Sequence, residues 1–155
     1  MRWDQGSAVT DRMLADTELQ RVPASRDQAD RLIAQAKTHA SSAAAICEED
    51  PPGAYALVYD AARKALTAVL ENQGLRPTTR GGHLAAYEAV RAQLDPPLGK
   101  LLRPFDRMRR QRHDAEYPPA SVPELTAEDV REDIPKATNI INLSERVLDQ
   151  MSPFR

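Results

Sequence analysis

The chain holds one cysteine, Cys47, in 155 residues. A single thiol excludes an internal disulfide and cannot supply a thiolate metal cluster. It also fits a reducing compartment. No apolar run approaches the roughly 20 residues that span a bilayer. The opening "MRWDQGSAVTDRML" lacks the apolar core of a signal peptide. Together these features predict a soluble, cytoplasmic protein. Charge of one sign is not in excess either: the formal net charge is -2, so no global field draws the protein to nucleic acid or membrane. Any such binding must come from a local patch. Strand signals are nearly missing too, because Val and Ile are scattered and no stretch alternates cleanly with period two. Internal repeats and low-complexity tracts are absent.

What the chain does have is alanine, the best helix former, at helical spacing. One domain is the natural expectation for this length, and it is long enough to bury a core without staples. Ser25 is a good N-cap with Gln28 three residues on. Behind it Ala29, Leu32, Ile33, Ala36, Ala40, Ala43 and Cys47 recur on one face until "EEDPPG" stops the helix. A second helix is expected over about residues 53–73, with small residues along its stripe and Gly74 as its stop. "LRPTTRGG" (75–82) reads as a loop. A third helix runs over about 83–94, and "DPP" ends it. A fourth covers about 98–115, where Pro104 must kink or restart it. "YPPASVPE" (117–124) is an extended connection. The last helix starts at Thr126 with Asp129 in its first turn, and Pro135 is expected to bend it. Residues 10–21 suggest a loose short helix, and residues 1–6 a frayed end. These elements predict an all-α, up-and-down bundle of four main helices plus one or two short ones. The expected division is a tail with a short helix over 1–24 and the bundle over 25–155.

Chemistry concentrates in "RMRRQRHDAEYP" (107–118). Between Arg103 and His113 stand five arginines and one acid, Asp106. One account is a solvated basic helix end opposing the macrodipole. Another is a phosphate site. Leu101, Phe105, Met108 and Arg112 lie at i, i+4, i+7 and i+11, so Arg112 continues the apolar stripe. A guanidinium at a core edge needs a partner. Arg109, His113 and Tyr117 form a second line at spacings of four. Arginine can hold phosphate through two parallel hydrogen bonds, and histidine exchanges protons near neutral pH. The competing partners are internal: Asp106, Asp114 or Glu116 could neutralise these arginines.

Elsewhere the signals are weaker. His83 follows Gly81 and Gly82 at a helix start, where backbone amides could approach an anion; a loop and a helix cap is the preferred reading, and the start of this helix need not lie near the arginines. His39 reads as a surface or half-buried packing residue. His39, His83 and His113 have no metal-ligand spacing, so no metal is expected. Cys47 reads as a small buried hydrophobe. Trp3 lies in the tail. No nucleophile-elbow pattern appears.

"GAYALVYDAARKALTAVLENQGLRP", "GGHLAAYEAV" and "RMRRQRHDAEYP" together resemble the HEPN superfamily (higher eukaryotes and prokaryotes nucleotide-binding), in particular its small stand-alone bacterial members. The resemblance covers about residues 26–150. It implies a four-to-five-helix bundle and two-fold dimers whose motif residues face one cleft. It further implies one of two functions. One is a metal-independent endoribonuclease without cofactor, often a toxin with a cognate antitoxin or nucleotidyltransferase-like partner. The other is a noncatalytic helical dimer that binds RNA or serves as a partner-binding or regulatory subunit. The family motif is an Arg, a polar residue, and a His four to six residues past the Arg. Starting at Arg107, His113 is the His, but Met108 occupies the polar place. Starting at Arg112, His113 is the polar residue and Tyr117 stands where His is expected. The second register is preferred. It implies Arg112, His113 and Tyr117 as the catalytic set and Arg107, Arg109 and Arg110 as RNA-phosphate contacts. A phenol titrates near pH 10, so Tyr117 is a poor proton shuttle at neutral pH. RNA would be cut by attack of its 2'-hydroxyl on phosphorus.

Overall fold

The computed structural model of the chain describes residues 3–155. Of the end expected to fray, residues 1 and 2 lie outside the described residues. The described residues are all-α but for one small ribbon. In order it forms α1 (Ser7–Ala15), β1 (Leu19–Arg21), α2 (Arg26–Ile46), α3 (Pro51–Gln73), β2 (Leu75–Pro77), α4 (Leu84–Leu94), α5 (Gly99–Leu102), α6 (Pro104–Glu116) and α7 (Ala127–Leu148).

Local chemistry sets most of these ends. The Ser25 hydroxyl accepts from the Gln28 amide at 3.1 Å. Thr126 and Asp129 form a reciprocal capping box at the start of α7. Gly74 closes α3 with φ 81°, a left-handed conformation that glycine adopts without steric cost. α2 closes at Ile46 with a turn over 47–49, and the diproline at 51–52 begins α3. Asp50 caps that start by accepting from Gly53 N at 3.0 Å, so the missing proline amides fall where a helix has no internal acceptor to offer. α3 therefore starts two residues earlier than its stripe suggests. Pro104 restarts the chain as α6 after the single turn of α5, rather than kinking one helix. α7 runs unbroken through Pro135.

Two expectations are corrected. The short N-terminal helix ends at Ala15, where Asp16 and Thr17 turn the chain, with Thr17 at φ 59°. Residues 19–21, expected to be helical, then pair antiparallel with residues 75–77 of the expected loop, Leu19 opposite Pro77 and Arg21 opposite Leu75. Three residues per strand are too few for a period-two pattern to show. Pro77 is tolerated because a two-stranded ribbon leaves edges that need no donor.

α3 is the spine of the bundle. It packs against α2 and α7 on one side and α4 and α6 on the other. Ala54, Ala61, Ala62, Ala65 and Ala68 are all fully buried on it, and their small side chains let four neighbours come close. On the α4–α6 side the packing is aromatic. Phe105 of α6 lies between Tyr59 of α3 at 5.3 Å and Tyr87 of α4 at 5.4 Å between ring centroids. That stack fixes where the arginine-rich helix sits. Met13 of α1 and Leu19 of β1 are also buried in this core. Trp3 packs on Phe154 at 4.7 Å and donates from Nε1 to the Ser152 carbonyl, joining the two ends of the chain. Cys47 is buried. Among the described residues, no helix is long and apolar enough to cross a membrane.

Candidate phosphate-binding groove

Phe105 and Met108 are fully buried and anchor α6 by one face. The arginines leave that face in two directions. Arg107 turns toward α7, where its Nη2 lies 2.6 Å from Asp133 Oδ1. Asp133 also accepts from the Tyr55 hydroxyl at 2.6 Å and pairs with Lys136 at 3.1 Å. Burial alone would push the Asp133 carboxyl up, but bonds from Arg107, Tyr55 and Lys136 outweigh it and hold it below the ordinary aspartate range. Burial, and then the bond to Asp133, push the Tyr55 phenol well above its usual value. Arg107 thus ties α6 to α3 and α7. A partner 26 residues away is invisible to spacing rules along one helix.

The other arginines take nearer acids. Asp106 pairs with Arg109 at 3.1 Å and with Arg110 at 3.6 Å. Glu116 pairs with Arg112 at 3.0 Å through Nη1. Two of the three foreseen internal acids are therefore used, and Asp133 is added.

Arg109, Arg112 and His113 nevertheless face a common space. With Tyr59 of α3 and the Gly81–Leu84 turn before α4, they line a groove of about 340 Å³. Arg112 lies over the Tyr59 ring, its Cζ 5.8 Å from the centroid, which gives a cation–π contact. Two polar atoms of this wall, Arg112 Nε and the Tyr59 hydroxyl, are buried with no hydrogen-bond partner among the described residues. Burial drives the Tyr59 phenol up to about 12, although Arg63, Arg109 and Arg112 pull the other way. Arg110 points away and its side chain is two-thirds exposed. Tyr117 caps the end of α6, 68% exposed, with its ring 5.2 Å from that of His113. It does not line the groove.

His83 does line it, its ring 5.7 Å from that of Tyr59. Partial burial, followed by the charges of Arg63 and Arg112, lowers its pKa below the ordinary imidazole value; Asp60 opposes them weakly. Spacing along the sequence does not join this residue to the arginines, because only the tertiary fold brings the start of α4 beside α6. His83 is also shared with a second groove of about 580 Å³ that runs between α2, α3 and β2 past Arg63 and the Glu71–Arg76 pair.

A family model described as the HEPN domain matches residues 29–147. No curated protein and no solved structure matches the chain significantly.

Proposed function

The chain belongs to the HEPN domain family, and from that premise we propose that it is an RNA-directed protein, a metal-independent endoribonuclease of toxin–antitoxin type acting as a cytoplasmic homodimer. The observation that carries this reading is Arg112. Among the described residues its Nε is buried without a partner, and its Nη1 pairs with Glu116. Leaving a buried N–H unpaired costs about 1–3 kcal/mol. The half-exposed pair with Glu116 is worth about 0–1 kcal/mol. A phosphate entering the groove can therefore replace Glu116 at Nη1 at small cost.

In this reading Arg112 stabilises charge on the phosphoryl oxygens, Arg109 adds positive potential, and His113 moves a proton. The 2'-hydroxyl attacks the adjacent phosphorus and leaves a cyclic phosphate end. Arg107 is held by Asp133, and its contribution to RNA is indirect. Arg110, exposed on the same helix outside the groove, contacts a neighbouring backbone phosphate in this reading. Tyr117 stands beside His113 and shapes the rim. The test is cleavage of RNA in EDTA by wild type, Arg112→Ala and His113→Ala. Wild-type cleavage lost in Arg112→Ala is expected; equal rates for both proteins would overturn the site.

A second reading has its own support. Tyr117 stands in the motif where histidine is expected and points to solvent, and carboxylates pair with the cluster's arginines. A noncatalytic dimer that binds RNA or a partner such as an antitoxin or nucleotidyltransferase-like protein fits those features. It predicts no cleavage and no growth defect on overexpression.

A further inference from the structure

Tyr117 stands where the motif expects its histidine, yet the groove holds a histidine from outside the motif. His83 enters from α4, outside the arginine helix, and both its ring and the Arg112 guanidinium rest within 6 Å of the Tyr59 ring centre. We infer that His83 is the catalytic base of this groove and accepts the proton of the RNA 2'-hydroxyl while Arg112 holds the phosphate. The inference rests on the ribonuclease reading above.

Three features favour His83 over the alternatives. His39 is on α2 and occupied, with Lys64 Nζ 2.8 Å from its Nε2. Tyr117 does not line the groove, and a phenol is a weak base at neutral pH until it is ionised. His83 is accessible at the rim and surrounded by positive charge: Arg63 from α3 and Arg109 and Arg112 from α6, with Asp60 of α3 as the opposing acid. That field favours the neutral ring, which is the form that accepts a proton.

The turn before α4 is also built to hold the imidazole there. Thr78 N donates to the Glu18 carbonyl at 3.0 Å, and Gly81 N donates to Thr78 Oγ1 at 3.3 Å. A Cβ on Gly81 would lie 2.4 Å from the Glu18 carbonyl oxygen, so only glycine lets the turn sit this close to the β1 end. His83 is thereby tied to the ribbon rather than left on a free loop.

The neutral His83 ring takes the 2'-hydroxyl proton as the 2'-oxygen bonds to phosphorus. The bond from phosphorus to the 5'-oxygen breaks, and that oxygen leaves with a proton donated by His113. The products are a 2',3'-cyclic phosphate and a 5'-hydroxyl.

The test compares wild type, His83→Gln and Arg112→Ala on one short RNA. Affinity is measured separately on the same RNA carrying 2'-O-methyl groups, which cannot be cut. His83→Gln should lower kcat by about 100-fold or more while the affinity stays within about threefold. The acid limb of the wild-type kcat/KM profile should vanish in this variant. Wild-type activity in His83→Gln, with Arg112→Ala inactive, overturns the role of His83 and leaves the ribonuclease reading standing. A wild type that cuts no RNA overturns both. Loss of RNA affinity in His83→Gln equal to the loss of rate would also overturn it, because that pattern belongs to a binding residue.

Discussion

Replacing Arg107 by alanine separates a strut from a phosphate ligand. Its guanidinium reaches Asp133, whose side chain is 2% exposed, at 2.6 Å. Hydrogen bonds to charged groups contribute about 1.5–3 kcal/mol. Removing one partner of a wholly buried ion pair costs about 3–5 kcal/mol. Two things reduce that figure here. Arg107 is itself 45% exposed, so water replaces it in part. Asp133 also keeps Tyr55 and Lys136. A loss of about 2 kcal/mol is expected, and at about 2–4 °C per kcal/mol for a chain of this size the melting temperature should fall by about 4–8 °C.

The pH dependence gives a second reading of the same contact. Asp133 titrates below the ordinary aspartate value of about 4. Its share of stability is therefore complete above that value and is lost as pH falls through the lower, folded one. Without Arg107 the carboxyl rises, so the stability gap between wild type and variant should narrow below about pH 4. Denaturant unfolding at several pH values measures both effects. An Arg107→Ala protein that melts within about 1 °C of wild type, with a gap independent of pH and a weakened grip on RNA, would refute the strut and make Arg107 a direct phosphate contact.

Other expectations follow from the same contacts. Phe105→Ala removes a fully buried ring from between Tyr59 and Tyr87 and should cost about 3–5 kcal/mol in denaturant unfolding; a loss under about 1 kcal/mol would mean the stack does not hold α6. Lys64 must donate to His39 Nε2, and partial burial and then Lys64 lower the His39 pKa. Its neutral ring supports the fold above the unfolded value of about 6.5 and loses that share as pH falls through the folded one. Lys64→Met should therefore raise the His39 midpoint in an NMR titration, and an unchanged midpoint would refute the coupling. Glu116→Gln frees the Arg112 guanidinium and should improve RNA affinity by up to about fivefold in fluorescence anisotropy; weaker binding would mean that Glu116 positions Arg112 rather than competing for it.

Features that depend on near neighbours were legible in the sequence. Ser25 with Gln28, Thr126 with Asp129, and Gly74 each act within three or four residues, so the amino acids alone set the ends of α2, α7 and α3. The placement of Arg112 at the edge of the apolar stripe was legible for the same reason, since helical spacing fixes it. The β1–β2 ribbon was not, because each strand is three residues long and the two are joined only by the fold. Asp133 meeting Arg107, and His83 lining the same groove as Arg112, were hidden for a related reason. Both depend on how separate helices pack on α3, and the Phe105 stack helps set that packing.

The geometry of α6 then limits how the motif can act within one chain. Side chains on a helix turn by about 100° per residue. Arg107 and His113 are therefore about 120° apart around α6, so a site made only of that pair would have to reach around the helix. Arg112 and Tyr117 are about 140° apart, and Tyr117 leaves the helix altogether. Arg112, His113 and Arg109 share one side, and in the proposed ribonuclease site the group that completes them comes from elsewhere. It comes either from a second copy or from α4 of the same chain. Mixed dimers distinguish these sources. Arg112→Ala and His83→Gln proteins, unfolded and refolded together, contain no groove with both residues intact if His83 and Arg112 act within one chain. RNA cleavage should then stay at the level of the separate variants. Recovered activity on mixing would show that the two side chains act across the interface, and the single-chain groove would no longer be the site.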